Sequence, residues 1–265
     1  MNKREALEAF KSYADLYDTD DIKIKLKIDH TYRVADIAER IGDSVGADSD
    51  FSWFLGLLHD IGRFEQLTQY GTFKDADSVD HAELGADILF KEGLIDKFPA
   101  PCSEDTILSE GTKDEVVNWR TITETAIRLH NKLLLPETLD PTTLIYSKIL
   151  RDADKVDIFR VLTEPPYDER NARIVESASA PASERVMSYV YEHKCVPRTF
   201  KKTDFENLIS QCCMAFELEF PRSREIVREQ GYLDTLLSLE VRNDEMTKQL
   251  MILPSELEKS HTQFS

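Results

Sequence analysis

The sequence predicts an all-α protein. Apolar residues recur at steps of three and four almost throughout, and strand-like alternation is hardly seen. Nine glycines and ten prolines in 265 residues are too few for the many turns of a sandwich or barrel.

The elements follow in chain order. Val34, Ile37, Ala38, Ile41 and Val45 mark one face of a helix within residues 25–45. Asp50 precedes an apolar run from Phe51 that ends at Ile61-Gly62, where a glycine suits a helix C-terminus because it tolerates positive φ. Asp80 precedes a helix from His81 to about Phe90, closed by Glu92-Gly93. Residues 114–129 carry Val116, Trp119, Ile122 and Ala126 at helical spacing. Asp140-Pro141 sets an N-cap before a proline at the first helical position, opening a helix to about Thr163 that Glu164-Pro165-Pro166 ends. Residues 98–112 and 165–181 read as loops from their proline, serine and glycine content. Further helices are expected over 183–192, 204–219, 222–229, 232–241 and 243–251, with a polar tail that frays. The expected organisation is a core over 1–165, a helical extension of the same domain over 182–252, and a tail over 253–265.

Fifty acidic residues against 33 basic ones leave a formal charge of −17. Such a surface repels phosphate backbones and anionic lipid, which argues against a nucleic-acid scaffold or a membrane-surface protein. With 41% hydrophobic residues the chain is too apolar for intrinsic disorder. The apolar run Phe51 to Leu58 is far shorter than the roughly 20 residues that span a bilayer, and the charged N-terminus does not read as a signal peptide, so a cytoplasmic protein is expected. Cys102, Cys195, Cys212 and Cys213 show no C-x-x-C spacing and read as reduced thiols.

Chemistry is concentrated in the histidines. Of His30, His59, His81, His130, His193 and His261, the first four fall in or at the ends of expected helices. The pair His59-Asp60 ends a fully apolar helix. A carboxylate there is costly to bury alone, and coordination of a cation is one way to compensate it. A second carboxylate cluster is Asp152-Ala153-Asp154-Lys155-Val156-Asp157, in which all three aspartates are candidates. Asp154 and Asp157 share a helix face and Asp152 points elsewhere.

The order His30, His59-Asp60 and a distant aspartate before Lys155 resembles the metal-binding signature of the HD-domain superfamily, an all-helical group of mostly metal-dependent phosphohydrolases. The strings HDIGRFEQ, DHAELGADIL and LRDADKVDIFR reinforce it over about residues 26–161. The resemblance places the last ligand before the lysine, at Asp154. Two-metal members use the order H, HD, H, H, D, which His81 and His130 complete. One cation would then sit on His30, His59, Asp60 and Asp154, and a second on His81, His130 and a shared oxygen of Asp60. Mixed imidazole and carboxylate ligation suits Mn, Fe, Co, Ni or Zn better than Mg. The resemblance also implies phosphate-binding roles for Arg63 and Lys155 beside Asp60.

Plainer readings stand beside these. His81 or His130 alone is as well explained as a core histidine. Arg63 could close a helix C-terminus, and Lys155 could neutralise its acidic neighbours. Glu83 and Glu124 could accept hydrogen bonds from ligand imidazoles, although exposure accounts for them better. The His193-x-Cys195 pair reads as structural or exposed, and His261 as an inert tail residue.

The expected function is hydrolysis of a phosphomonoester or phosphodiester, of nucleotide type, with one or two divalent cations. The partner is a small phosphorylated substrate, and the later helices could shape a pocket or a homodimer surface. Two alternatives are an HD-type di-iron oxygenase, which the same ligand order also resembles, and a non-catalytic nucleotide-sensing HD domain, against which an intact ligand set argues. The GYP sequence of cyclic-di-GMP phosphodiesterases is absent.

Overall fold

Asp21, Asp48, Asp80 and Asn118 each stand one residue ahead of a helix and turn a side-chain oxygen onto its first N–H groups. These caps set the helix starts in the computed structural model, which describes residues 1–102, 106–108, 116–165, 171, 180–241 and 243–262. The chain divides into two compact units, Met1–Asp154 and Lys155–Ser265.

The first unit contains α1 (Lys3–Ala14), α2 (Ile22–Ser44), α3 (Ser49–Leu58), α4 (Ile61–Tyr70), α5 (His81–Phe90), α6 (Trp119–Leu129) and the start of α7 (Pro141–Val161). The α2 stripe is buried at Val34, Ile37, Ala38 and Ile41, while Val45 follows the helix end. Every residue from Phe51 to Leu58 in α3 is buried, so this helix is enclosed on all sides. Its cap is Asp48, whose side chain accepts from Phe51 N at 2.9 Å; Asp50 lies inside the first turn.

Two glycines let backbones meet. A Cβ on Gly56 would lie 2.6 Å from Ala35 Cα, which brings α3 against α2. A Cβ on Gly62 would collide with the His81 carbonyl and lie 2.6 Å from Gly85 N, which brings α4 against α5. Gly62 therefore does not end a helix in the left-handed region. It sits in the first turn of α4, outside the glycines of positive φ, and its lack of a side chain serves close packing.

The helix expected from residue 114 begins at Trp119. Val116–Asn118 instead forms β2, paired antiparallel with β1 (Thr106–Leu108), Ile107 opposite Val117. Consecutive β-branched valines favour the extended chain, and Asn118 then caps α6 through Arg120 N at 2.8 Å. This small ribbon lies in and beside a stretch read as loop, within an otherwise helical fold. Most of 165–181 falls outside the described residues.

The second unit carries α8 (Glu184–Tyr191), α9 (Asp204–Cys212), α10 (Pro221–Gln230), α11 (Tyr232–Leu237) and α12 (Asp244–Thr262) around Phe205, Leu208, Ile209, Leu236, Met246 and Leu250. A 3-10 turn, Cys213–Glu217, replaces the end of the helix expected to reach 219. The last helix runs through the expected tail because Leu253 and Leu257 are buried along it. No described helix is long and apolar enough to cross a membrane. All four cysteines are free thiols.

Candidate metal centre

His59 and His130 occupy equivalent places, each directly after the last residue of its helix, α3 and α6. Each turns Nδ1 back to the carbonyl three residues earlier, His59 to Gly56 O at 2.8 Å and His130 to Ile127 O at 2.7 Å. A carbonyl only accepts, so the proton lies on Nδ1 and Nε2 presents a bare lone pair. His81, the first residue of α5, meets both oxygens of Asp75 through Nδ1, at 2.9 and 3.0 Å. A carboxylate imposes the same tautomer on a neutral ring.

The Nε2 atoms of the four histidines converge on Asp60. Its Oδ2 lies 3.4 Å from His59 Nε2 and 3.6 Å from His30 Nε2, while Oδ1 lies 3.6 Å from His81 Nε2 and 3.9 Å from His130 Nε2. The two carboxylate oxygens thus face two different histidine pairs. Asp154, from α7, brings Oδ1 to 3.2 Å from His30 Nε2 and 3.8 Å from His59 Nε2. The four imidazoles and Asp60 are buried, and Asp154 keeps 17% of its side chain exposed.

Electrostatics leave this cluster short of positive charge. Burial pushes His130 down to about 3, helped by His81 and His59. Burial and then the Arg63 charge lower His81. Both rings are therefore neutral near pH 7, and their Nε2 atoms oppose each other at 3.0 Å with no proton between them. His59 Nε2 is buried without a hydrogen bond. Burial alone would raise Asp60, but the Lys27 charge and then that of Arg63 bring it well below the usual carboxylate range. Asp154 is likewise lowered against its burial, by its hydrogen bond with His30. Bare imidazole nitrogens and ionised carboxylates in one buried space are the donor set of a divalent cation. Three triads each gather one ligand atom per residue within 4.8 Å: His30, His59 and Asp60; Asp60, His81 and His130, both fully buried; and the half-buried Asp75, Asp80 and His81. The residues fit such ions.

The family model of the HD domain matches residues 28–158. This chain carries an HD domain. Domains of this kind are commonly metal-dependent hydrolases, and the match encloses His30, His59, Asp60, His81, His130 and Asp154. Neither a curated protein nor a solved structure gives a match.

The HD domain brings together all six residues expected as ligands, and it reaches them from α2, the α3–α4 junction, α5, α6 and α7. Arg63 is beside Asp60, with Nε 3.6 Å from Oδ1, but it is also held from within. Its Nη1 donates to Phe73 O at 2.7 Å, Gln66 Oε1 at 2.8 Å and Asp75 Oδ1 at 3.0 Å. Lys155 begins the second unit and gives Nζ to Glu217 at 2.8 Å. Glu83 and Glu124, 47% and 40% exposed, pair with Arg128. The imidazoles of His81 and His130 take Asp75 and Ile127 O in their place. In the second unit His193 bonds Glu256 at 2.9 Å and Cys195 Sγ reaches Cys213 O at 3.5 Å, both structural contacts. The His261 side chain lies outside the described ones.

Two residues escaped the sequence reading. Lys27 donates Nζ to Asp60 Oδ2 at 2.7 Å, and both Lys27 and Arg63 lie over the Phe73 ring, at 5.6 and 5.8 Å from its centre. The spacing of Lys27 three residues before His30 puts the two on one helix face and was a usable signal. Asp75 sits in a 3-10 turn between α4 and α5, where no periodicity points to it.

Proposed function

We propose that this HD domain binds two divalent cations and hydrolyses a phosphomonoester or phosphodiester, with a small nucleotide-type phosphate as substrate. The observation that carries the reading is the division of Asp60, one oxygen toward His30 and His59 and the other toward His81 and His130. A single carboxylate serving two nitrogen pairs suits a bridge between two ions. Bound there, the ions supply Lewis acidity and lower the pKa of water.

The chain's own residues contribute position and charge. Asp154, 17% exposed, is the least buried of the six residues. Lys27 and Arg63, 13% and 14% exposed, stand beside Asp60, and metal charge at that carboxylate would free them to meet an entering phosphate. Arg63 offers a guanidinium held in place by Phe73 O, Gln66 and Asp75, and a fixed fork of donors suits phosphate oxygens. Lys155 pairs with Glu217 and, unlike Arg63, has no described contact with Asp60, which makes it the weaker candidate of those expected from the sequence. At a net charge of −17, these cations and the metals must provide the local attraction that the whole surface lacks.

The test is hydrolysis by purified protein loaded in turn with Mn, Ni, Co and Zn, against nucleotide and sugar phosphomonoesters and phosphodiesters. Phosphate release that chelation abolishes is expected. Failure with every ester and all four metals overturns the reading. Oxygen uptake and a mixed-valent di-iron signal after anaerobic iron loading would replace it with oxygenase chemistry.

A further inference from the structure

We propose that Asp75 is a positioning residue for the second cation, holding His81 in the tautomer that turns a bare Nε2 toward Asp60 and His130. The inference rests on the two-cation reading above and adds a residue outside the ligand set.

The three histidines with assigned Nδ1 partners are not oriented alike. His59 and His130 follow helix ends, so the carbonyl each needs comes from its own last turn, at Gly56 and Ile127. Those acceptors exist wherever the helix exists. His81 begins a helix, where the free backbone groups are N–H donors. An imidazole there finds no upstream carbonyl of its own helix to accept its Nδ1 proton. The acceptor is supplied instead by Asp75, six residues earlier, at 2.9 and 3.0 Å.

Asp75 is itself built in. Its Oδ1 accepts from Arg63 Nη1 and Gln66 Nε2, both at 3.0 Å, and its Oδ2 receives a longer contact from Asn131 Nδ2 at 3.4 Å. Gln66 is fully buried and also gives Nε2 to Ser78 Oγ and Val79 O, each at 2.9 Å, so one amide ties the turn down on both sides of Asp77. The carboxylate is held below the usual range despite its burial, by His81 and then Arg63.

Charge matters here beyond shape. Asparagine has nearly the same outline, and Arg63 and Gln66 would keep its oxygen at the Oδ1 position. Its oxygen stays 2.9 Å from His81 Nδ1 but is already shared by the Arg63 and Gln66 donors, while its NH2, at the Oδ2 position 3.0 Å away, offers a donor to the same nitrogen. The ring proton moves to Nε2, which points at the bare His130 Nε2 3.0 Å away. The resulting N–H···N hydrogen bond closes the pair against a cation.

The experiment compares wild type with Asp75→Asn by two readouts. The first is the His81 tautomer in metal-free protein, from long-range ¹H–¹⁵N spectra assigned by loss of the signal in His81→Gln. The second is Mn bound per chain after loading and desalting. The expected result is an Nδ1–H ring and two equivalents in wild type, against an Nε2–H ring and one equivalent in Asp75→Asn. An Nε2–H ring in metal-free wild type overturns the inference without any variant, so a variant that fails to fold leaves it testable. Two equivalents or an unchanged tautomer in folded Asp75→Asn also overturns it. Fewer than two equivalents in wild type defeats the two-cation reading, and the tautomer comparison then decides alone whether Asp75 sets His81.

Discussion

His81 Nε2 and His130 Nε2 oppose each other at 3.0 Å, and the Nδ1 of each ring is already engaged, by Asp75 and by Ile127 O. Two buried lone pairs therefore face one another. Replacing one ring with an apolar side chain removes that conflict along with one hydrogen bond, so the two effects on stability largely offset. His130→Leu is expected to lose one metal equivalent and to unfold in urea, metal-free, within about 1 kcal/mol of wild type. A metal-free loss above about 3 kcal/mol would mean that the imidazole is needed for packing, as in large-to-small core substitutions.

Asp60 is the residue both histidine pairs share, which makes its removal different in kind. Asp60→Ala is expected to strip both equivalents where His130→Leu strips one. Elemental analysis of the two purified variants provides the comparison, and two equivalents retained in Asp60→Ala would refute the bridging role.

Lys27 contributes a charge-assisted bond to Asp60 at 2.7 Å in a nearly closed environment. Lys27→Met leaves a buried carboxylate short of its nearest cation, at a cost on the order of 3 kcal/mol to the metal-free protein. Added Mn compensates the same charge and should restore most of the lost melting temperature. Equal losses with and without Mn would show that Lys27 supports something other than the Asp60 charge.

Gly62 joins α4 to α5 at the point where His81 starts its helix, and the atoms a Cβ would meet are backbone, which cannot rotate away. Gly62→Ala should cost about 2 kcal/mol by overpacking, a lower melting temperature, and displace His81 with weaker retention of the second equivalent. Wild-type stability together with two equivalents in this variant would mean that the helices separate without strain.

The fold class was legible in the chain, and so were the histidines and aspartates that the structure brings together, because both rest on local spacing. Periodicity marks α2 and α3, Asp80 and Asp140-Pro141 mark helix starts, and His59, His81 and His130 lie at helix ends where side chains can converge on His30 within α2. What escaped depends on distant pairing. Asp75 matters only because its turn folds onto α5, and Lys27 only because α2 passes the start of α4. Gly62 was misread for the same reason: a glycine near the end of an apolar run looks alike whether it serves a turn or a close approach. The β ribbon near 116 was hidden because the valine there also fits a helical stripe.

The second unit offers a test of pH dependence away from the metal centre. Thr203 and Glu206 form a capping box at the start of α9, with Glu206 N donating to Thr203 Oγ1 at 3.1 Å. The Glu206 carboxylate also accepts from Lys202 N at 2.7 Å, Ser183 N at 3.1 Å and Ser183 Oγ at 2.8 Å, and Ser183 caps α8. Burial would raise its pKa, but the donors from Lys202 and Ser183 outweigh it and hold the group below its ordinary 4.5. A carboxyl with a lowered folded pKa contributes stability that is complete above the unfolded value and is lost as pH falls through the folded one. Glu206→Gln keeps the shape and loses the charge, so it should cost about 1–2 kcal/mol at pH 7. The gap between the variant and wild type should narrow as pH drops below 4.5. Urea unfolding at pH 7 and at successively lower pH provides the measurement, and a gap that stays constant with pH would mean that geometry alone, without the charge, holds the two helix starts together.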